Sequence, residues 1–309
     1  MTVATVAAGA VQLAGAVAVA PLLPGAIQWV KARLQGRRGA SPLQPYRELR
    51  RLWTRAGVRP QPGTVLYDLA PPVVAACALL AALLLPIAGQ GPDWGIGGDA
   101  LVLVGLLALG RGAIAAAAWD TGSGFALMGA ARDLTFAVVV EALLVVGIVL
   151  LALPAGSTDL AAISGASADG GAWSEPARWA AAAVVALVVA AETGRQPIDN
   201  PDTHLELTMI HEGPLLEYGG RDLALLQWAA AVRHWIVLVL AAELLLPHPG
   251  AFGWQLLWLA GWLAAGCVAL AVAETLQAKA RVLRAPRILA VGVLIGVLGV
   301  VAHVLERAA

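Results

Sequence analysis

The chain has 309 residues, of which 60% are hydrophobic and only 13% are charged. A soluble domain has roughly 45–50% apolar and about 25% charged residues, so a single soluble globule is excluded. An all-α integral membrane protein is predicted instead. The formal net charge of zero gives no support for a nucleic-acid partner. The two cysteines, Cys77 and Cys267, lie singly in apolar runs, which excludes a disulfide framework and a thiolate metal or iron–sulfur site.

Apolar runs near 20 residues predict membrane-spanning helices. Eight runs form one polytopic membrane domain over residues 1–309, and the predicted spans are 3–28, 65–86, 99–118, 133–153, 177–192, 222–246, 254–273 and 286–304. Because the first basic residue is Lys31, the cationic region of a cleaved signal peptide is missing, and the first run is predicted to be a retained span.

Basic residues in the connections predict the orientation. Nine lysines and arginines lie in loop 31–64 and four in 274–287, whereas 87–98 and 154–175 contain none. The prediction is therefore that both termini lie outside and that loops 31–64 and 192–222 are cytoplasmic. The glycine-rich stretch 155–175 is predicted to be a flexible connector.

The first cytoplasmic loop contains a predicted basic amphipathic helix at 46–58. Leu49, Leu52 and Trp53 share one face of this helix, and the arginines between them are Arg47, Arg50 and Arg51. Such a helix lies well at a lipid interface. Two compatible uses are an anchor for anionic lipid and a docking surface for a soluble partner.

Glu141 lies inside the fourth predicted span, and no basic residue is within a helical turn of it. Charged groups at this depth are costly and usually mark ion or proton pathways. A proton relay is favoured over a neutral structural glutamate, because such a group changes protonation state with small changes of surroundings. Glu243 is expected at an interface. Glu274 lies near Lys279 and Arg281, and an ion pair with one of them explains it as well as a proton relay does.

The stretch 192–222 is the most acidic part of the chain. Its carboxylates and histidines are Glu192, Asp199, Asp202, His204, Glu206, His211, Glu212, Glu217 and Asp222. A metal site is disfavoured, since His211 lacks a second histidine at HExxH spacing. The alternatives are a solvated loop and a chain of groups that transfer protons, and the second is favoured. Arg195 follows Glu192 by three residues, which permits pairing on one helical face.

Several motifs resemble the respiratory complex I subunit 1 family, which comprises the eight-span subunit of NADH–quinone oxidoreductase and its relatives in membrane-bound [NiFe] hydrogenases. The motifs are ETGR at 192–195 with Pro197 and Asp199, EYGG at 217–220, DTGS at 120–123, MGAARD at 128–133, and Lys279 with Arg281 and Arg284. THLELTMIHE at 203–212 is typical of the hydrogenase branch, as in subunit 4 of formate hydrogenlyases. Gly194 and Asp133 depart from the usual asparagine and glutamate, and quinone binding is not carried over.

The resemblance implies that a proton pathway is formed by Glu141, Glu192, Asp199, Asp202, Glu206 and Glu217. The titratable pattern of the acidic loop adds His204 and Glu212 to this predicted pathway. The residues predicted to dock a partner are Arg47, Arg50, Arg51, Arg195, Arg281 and Arg284. The implied partners are an iron–sulfur small subunit and a hydrogenase-like large subunit on the cytoplasmic face, and antiporter-like subunits in the bilayer. No redox cofactor is implied in this chain, because the iron–sulfur clusters and any NiFe centre belong to partners.

The predicted function is that of a membrane-anchor and proton-coupling subunit of a group 4 [NiFe]-hydrogenase-type complex in a prokaryotic cytoplasmic (inner) membrane. The chain is predicted to be non-catalytic alone. Two alternatives remain, the quinone-binding membrane subunit of complex I (NADH–quinone oxidoreductase) and a stand-alone secondary transporter. The transporter gains little support because no internal repeat is visible.

Overall fold

A computed structural model describes residues 3–61, 63–87, 98–168, 173–195, 199, 210–247, 252–277 and 285–308. Within these ranges the chain forms eleven α-helices and no strand. They are α1 (Val3–Ala14), α2 (Leu22–Leu34), α3 (Gln44–Trp53), α4 (Val65–Leu84), α5 (Ala100–Asp120), α6 (Gly124–Ala155), α7 (Leu160–Ala166), α8 (Pro176–Glu192), α9 (Gly220–Leu245), α10 (Phe252–Leu276) and α11 (Ala285–Ala308). The predicted all-α membrane class is confirmed.

Among the described residues, six helices are long and apolar enough to cross a membrane, and the bent pair α1–α2 makes a seventh if it is one span. Seven of the eight predicted spans correspond to these candidates. The missing candidate is α8, whose 17 residues reach about 26 Å, short of the roughly 30 Å hydrocarbon core.

The first predicted span is not one straight helix. A π-helical turn, Gly15–Val19, follows α1, and the segments on either side of the break meet at 52°. Pro21 supplies no backbone donor at the break. Gly15 lies so close to the indole of Trp235 that a Cβ would come within 2.5 Å of it. The first span therefore bends where it packs on α9.

Helix α9 lies at the centre of the bundle and packs against α3, α4, α8 and α10. In the most apolar segment of α9, 61% of the residues are buried, whereas the corresponding share in α10 is 17%. Most of the surface of α10 therefore lies on the outside of the bundle. A second group consists of α6, α8 and α11. Gly292, Gly296 and Gly299 of α11 face side chains of α6 and α8, and small residues at this spacing permit close helix approach.

The end of α9 at Leu245 is held by Arg178 of α8. Its Nη2 donates to the carbonyls of Leu244 at 2.9 Å and Leu245 at 2.7 Å, which have no helical donor. Nearby, α7 occupies part of the predicted flexible connector 155–175, so that prediction is wrong for those residues. Asp159 caps α7 by accepting from the amide of Ala162 at 2.9 Å, and Leu160 and Ile163 are fully buried.

The amphipathic helix is confirmed as α3, although it ends at Trp53 and not at 58. Leu52 is buried and Leu49 half-buried against the bundle, whereas Trp53 is 54% exposed. The side chain of Tyr46 donates to the carbonyl of Ala18, which ties α3 to the break in the first span.

Candidate functional site

A buried ion pair joins two helices within the bundle. Arg111 of α5 donates its Nη2 to both carboxylate oxygens of Glu192 at the end of α8, at 2.7 and 2.8 Å. Arg111 is 4% exposed and Glu192 is 3% exposed. A buried charge is tolerated when it is paired and hydrogen-bonded, so each residue makes the burial of the other possible.

Two further charged side chains adjoin this pair. Arg233 Nη1 of α9 lies 3.7 Å from Glu192 Oε2, and Arg111 Nη1 lies 3.9 Å from Glu141 Oε1. As predicted, no basic residue lies within a helical turn of Glu141 on α6. The nearby positive charge comes instead from Arg111 of α5. Sequence reasoning missed Arg111 and Arg233, although an arginine inside an apolar span is itself a signal of a functional or paired site.

A second buried cluster is built around Glu274 of α10. Its Oε1 accepts from Arg195 at 3.0 Å, and its Oε2 lies 3.2 Å from Lys31 Nζ of α2. The permitted pairing of Arg195 with Glu192 is therefore not formed, because Arg111 holds Glu192. The expected partners of Glu274, Lys279 and Arg281, lie outside the described residues. The cluster links α2, α10 and the segment after α8.

Asp199 lies in the third charged cluster, within the acidic loop. Its Oδ2 lies 3.3 Å from His211 Nδ1 and accepts from the amides of Ile210 and His211 at 3.3 and 3.4 Å. Desolvation lowers the pKa of His211, but the hydrogen bond to Asp199 and the charges of Asp133 and Asp199 outweigh it, so that pKa lies above its ordinary value.

The remaining predicted residues are distributed as follows. Glu212 is exposed and Glu217 half-buried, and the docking arginines Arg47, Arg50 and Arg51 are exposed on α3. Asp202, His204, Glu206, Arg281 and Arg284 lie outside the described residues. Glu243, expected at an interface, is 2% exposed, with Ser164 Oγ 3.5 Å away.

A cavity of about 600 Å³ connects the clusters. Its polar lining includes Arg111, Glu192, Arg195, Asp199 and His211, and Asp133, Arg233 and His234 also line it. Its apolar wall includes Val74, Cys77, Leu106, Leu107 and Leu226. The ion pair, the Asp199–His211 pair and Arg195 of the Glu274 cluster therefore line one space.

The sequence motifs have local structural causes. Gly194 has a φ of +60°, a left-handed conformation that glycine adopts freely and asparagine tolerates, which explains the exchange noted in the ETGR motif. Gly220 of EYGG has a φ of +56°, and a Cβ there would lie 2.6 Å from the carbonyl of Arg55. Asp120 of DTGS accepts from the amide of Thr64, the residue before α4, at 2.6 Å and from the first-turn amide of Tyr67 at 3.2 Å, and so helps to cap α4.

In the described part of the chain, no group of three or more His, Cys, Asp or Glu side chains is arranged to hold a metal ion. Both cysteines are buried and free.

The fold and the site define a multi-pass α-helical membrane protein in which buried ion pairs and an acidic loop share one cavity. Residues 7–304 match the model of the NADH dehydrogenase family. The chain belongs to that family, and the predicted resemblance is confirmed.

Two curated relatives come from Escherichia coli (strain K12). Hydrogenase-4 component C is 36% identical over 74% of this chain and 71% of its own length. Formate hydrogenlyase subunit 4 is 33% identical over 74% of both chains. A chain of the membrane-bound sulfane sulfur reductase, an archaeal respiratory membrane complex, superposes with a TM-score of 0.80, covering 96% of this chain and 99% of that chain. At 21% identity this last likeness shows the fold.

Proposed function

We propose that this chain is the membrane-anchor and proton-coupling subunit of a group 4 [NiFe]-hydrogenase-type complex. The observation that carries the proposal is the continuous arrangement Glu141, Arg111, Glu192, cavity, Asp199–His211. It runs from the interior of a predicted span to the acidic loop. The names of the two relatives, hydrogenase-4 component C and formate hydrogenlyase subunit 4, support the same assignment.

The coupling follows from electrostatics at short range. A change of charge on a docked redox subunit alters the field at the acidic loop, and a nearby charge shifts the proton affinity of a carboxylate or imidazole. Asp199 and His211 are in contact with each other and line the same cavity as Glu192. A proton gained or lost at the loop is therefore passed through the cavity to Glu192 and then to Glu141.

The basic-residue count supports a cytoplasmic position for the acidic loop and for α3, in a prokaryotic cytoplasmic (inner) membrane. The iron–sulfur small subunit and the large subunit dock on that face, where Arg47, Arg50 and Arg51 are exposed. Antiporter-like subunits lie beside the chain in the bilayer. The redox centres belong to the partners, since two separate cysteines cannot supply the four ligands of an iron–sulfur cluster.

The test is the Glu141→Gln variant, which keeps the shape of the side chain and cannot titrate. Purified complex in proteoliposomes is assayed for pH change per electron transferred. We expect hydrogen turnover to persist and the pH change per electron to be largely lost, because the amide cannot take up or release a proton. The matched control is Glu306→Gln, because Glu306 is an exposed residue near the end of α11, and this variant should behave as wild type. Undiminished pumping by Glu141→Gln contradicts the relay.

The cavity also favours a second candidate, the quinone-binding membrane subunit of complex I. Its volume of about 600 Å³ and its apolar wall are typical of sites for hydrophobic ligands. A photoreactive quinone added to the purified complex distinguishes the two. Labelling of cavity residues, together with quinone-dependent turnover, would favour the quinone-reducing function over the hydrogenase type.

A further inference from the structure

Arg111 stands between two carboxylates that lie on different helices. Its Nη2 is bonded to Glu192 of α8 at 2.7 Å, while its Nη1 is 3.9 Å from Glu141 Oε1 of α6. A charge-assisted hydrogen bond spans about 2.7–2.9 Å, so Glu141 is close to the guanidinium but not bonded to it. Arg111 Nε is buried without a hydrogen-bond partner among the described residues, so no bond there opposes a rotation of the group.

The charges around Arg111 do not balance if all acids are ionised. The surrounding groups are Asp133 and Glu141 on α6, Glu192 on α8, Arg233 on α9 and His211 in the acidic loop. His211 is paired with Asp199. Among the groups that interact with Arg111 and its two carboxylates, two arginines then face three carboxylates, an excess of one negative charge. Arg195, which also lines the cavity, and Lys31 are bound to Glu274. The excess negative charge is costly, and a single proton on one carboxylate removes it.

We propose that Arg111 is a positioning residue that decides which of Glu192 and Glu141 carries this proton, by exchanging its hydrogen bonds between them. The proposal rests on the proposed proton-coupling function and identifies the moving part within it. With Arg111 on Glu192, as in this structure, Glu141 is the protonated member. With Arg111 on Glu141, Glu192 holds the proton.

The exchange is balanced in protons. A proton from water in the cavity binds the Glu192 carboxylate, which then loses its ionic bond to Arg111. The guanidinium, which stays protonated throughout, moves roughly 1 Å and bonds to Glu141. Glu141 releases its proton at the outer surface of the bundle, where its side chain is 28% exposed and an acceptor group of an adjoining membrane subunit can take it. One proton enters at Glu192 and one leaves at Glu141, and the reverse sequence runs in the other direction.

The experiment is infrared difference spectroscopy of the complete complex in proteoliposomes, reading the carboxylic-acid C=O band. Loss of a band in Glu141→Gln or Glu192→Gln assigns it. At neutral pH we expect the wild type to show the Glu141 band and no Glu192 band. In Glu192→Gln, Arg111 is free to bond Glu141, and the Glu141 band should lose about nine-tenths of its amplitude.

A second variant tests whether the exchange needs the planar, forked guanidinium of Arg111. Arg111→Lys keeps the charge but is shorter and replaces the planar fork, which reaches from Glu192 toward Glu141, by a single ammonium group, so the Glu141 band should stop responding to redox turnover. Arg178→Lys is the matched control, because Arg178 is a buried arginine that bonds carbonyls at the far end of α9. It should leave the band response as in wild type.

The outcomes separate this proposal from the proposed function. A Glu141 band that is unchanged in both Glu192→Gln and Arg111→Lys overturns the exchange, even if Glu141→Gln abolishes proton pumping. Pumping that survives Glu141→Gln defeats the proposed function itself. A band response lost in Arg178→Lys as well means that general damage to the bundle explains the effect, and this also overturns the exchange.

Discussion

Tyr218 donates its hydroxyl to the backbone carbonyl of Tyr67 at 2.9 Å, 151 positions earlier in the chain. That carbonyl lacks its helical donor, because the residue four positions later, Pro71, has no N–H. The Tyr67 hydroxyl in turn donates to the carbonyl of Glu217 at 2.9 Å, and the two rings stack 4.3 Å apart. Burial raises the pKa of Tyr218 above its ordinary value, so the donor stays protonated.

Tyr218→Phe is therefore expected to destabilise the protein by about 1–3 kcal/mol, because it leaves the Tyr67 carbonyl buried without a donor. Thermal unfolding of the purified chain in detergent measures the change. Pro71→Ala supplies the missing N–H, so the double variant Tyr218→Phe with Pro71→Ala should recover most of the loss. Equal losses in the single and double variants would show that the carbonyl is not the cause.

Glu274→Gln is expected to destabilise the packing of α10 on α2 by about 3–5 kcal/mol, since it leaves Lys31 and Arg195 as buried cations without their shared carboxylate. The measurement is the midpoint of detergent unfolding. Lys31→Met should destabilise the Glu274→Gln variant less than it destabilises the wild type, and a double-mutant cycle measures this difference. The control is Glu48→Gln on the exposed Arg51–Glu48 pair, where a change below about 1 kcal/mol is expected.

The Asp199–His211 pair makes stability depend on pH. The pKa of His211 is raised on folding, so its contribution is fully present below the unfolded value near 6.5 and is lost as pH rises through the folded pKa. The advantage of wild type over His211→Gln should therefore be larger at about pH 6 than at about pH 8.5. Thermal unfolding across this range measures it. Parallel pH curves for the two proteins would contradict the pairing.

The exposed arginines of α3 are predicted to dock the soluble arm. Replacing Arg47, Arg50 and Arg51 by alanine should weaken retention of the arm while membrane insertion persists, because other basic residues of loop 31–64 keep the orientation. Blue-native electrophoresis of the complex reports arm retention. Alanine at Arg37 and Arg38, which are exposed in the same loop but precede α3, is the control. Full retention in high salt would favour a lipid anchor.

Composition and periodicity by themselves determined the membrane class, most of the helices and the amphipathic α3. These follow from the length of apolar runs and from spacing along one segment, which are local properties. The motifs around Glu192 and Tyr218 also sufficed to predict the family. The same local properties did not predict the break after Gly15–Val19 or helix α7. Contacts with other helices determine both features, and α7 is stabilised by burial of its apolar side chains.

Only the tertiary structure decided which charges meet. Glu192 pairs with Arg111, 81 positions away, and not with Arg195, three positions away, and Arg195 reaches Glu274 across 79 positions. In a low-dielectric interior each buried ion must find an opposite charge wherever the packing of helices brings one. That packing depends on helix contacts far apart in the chain, which spacing within one segment does not encode.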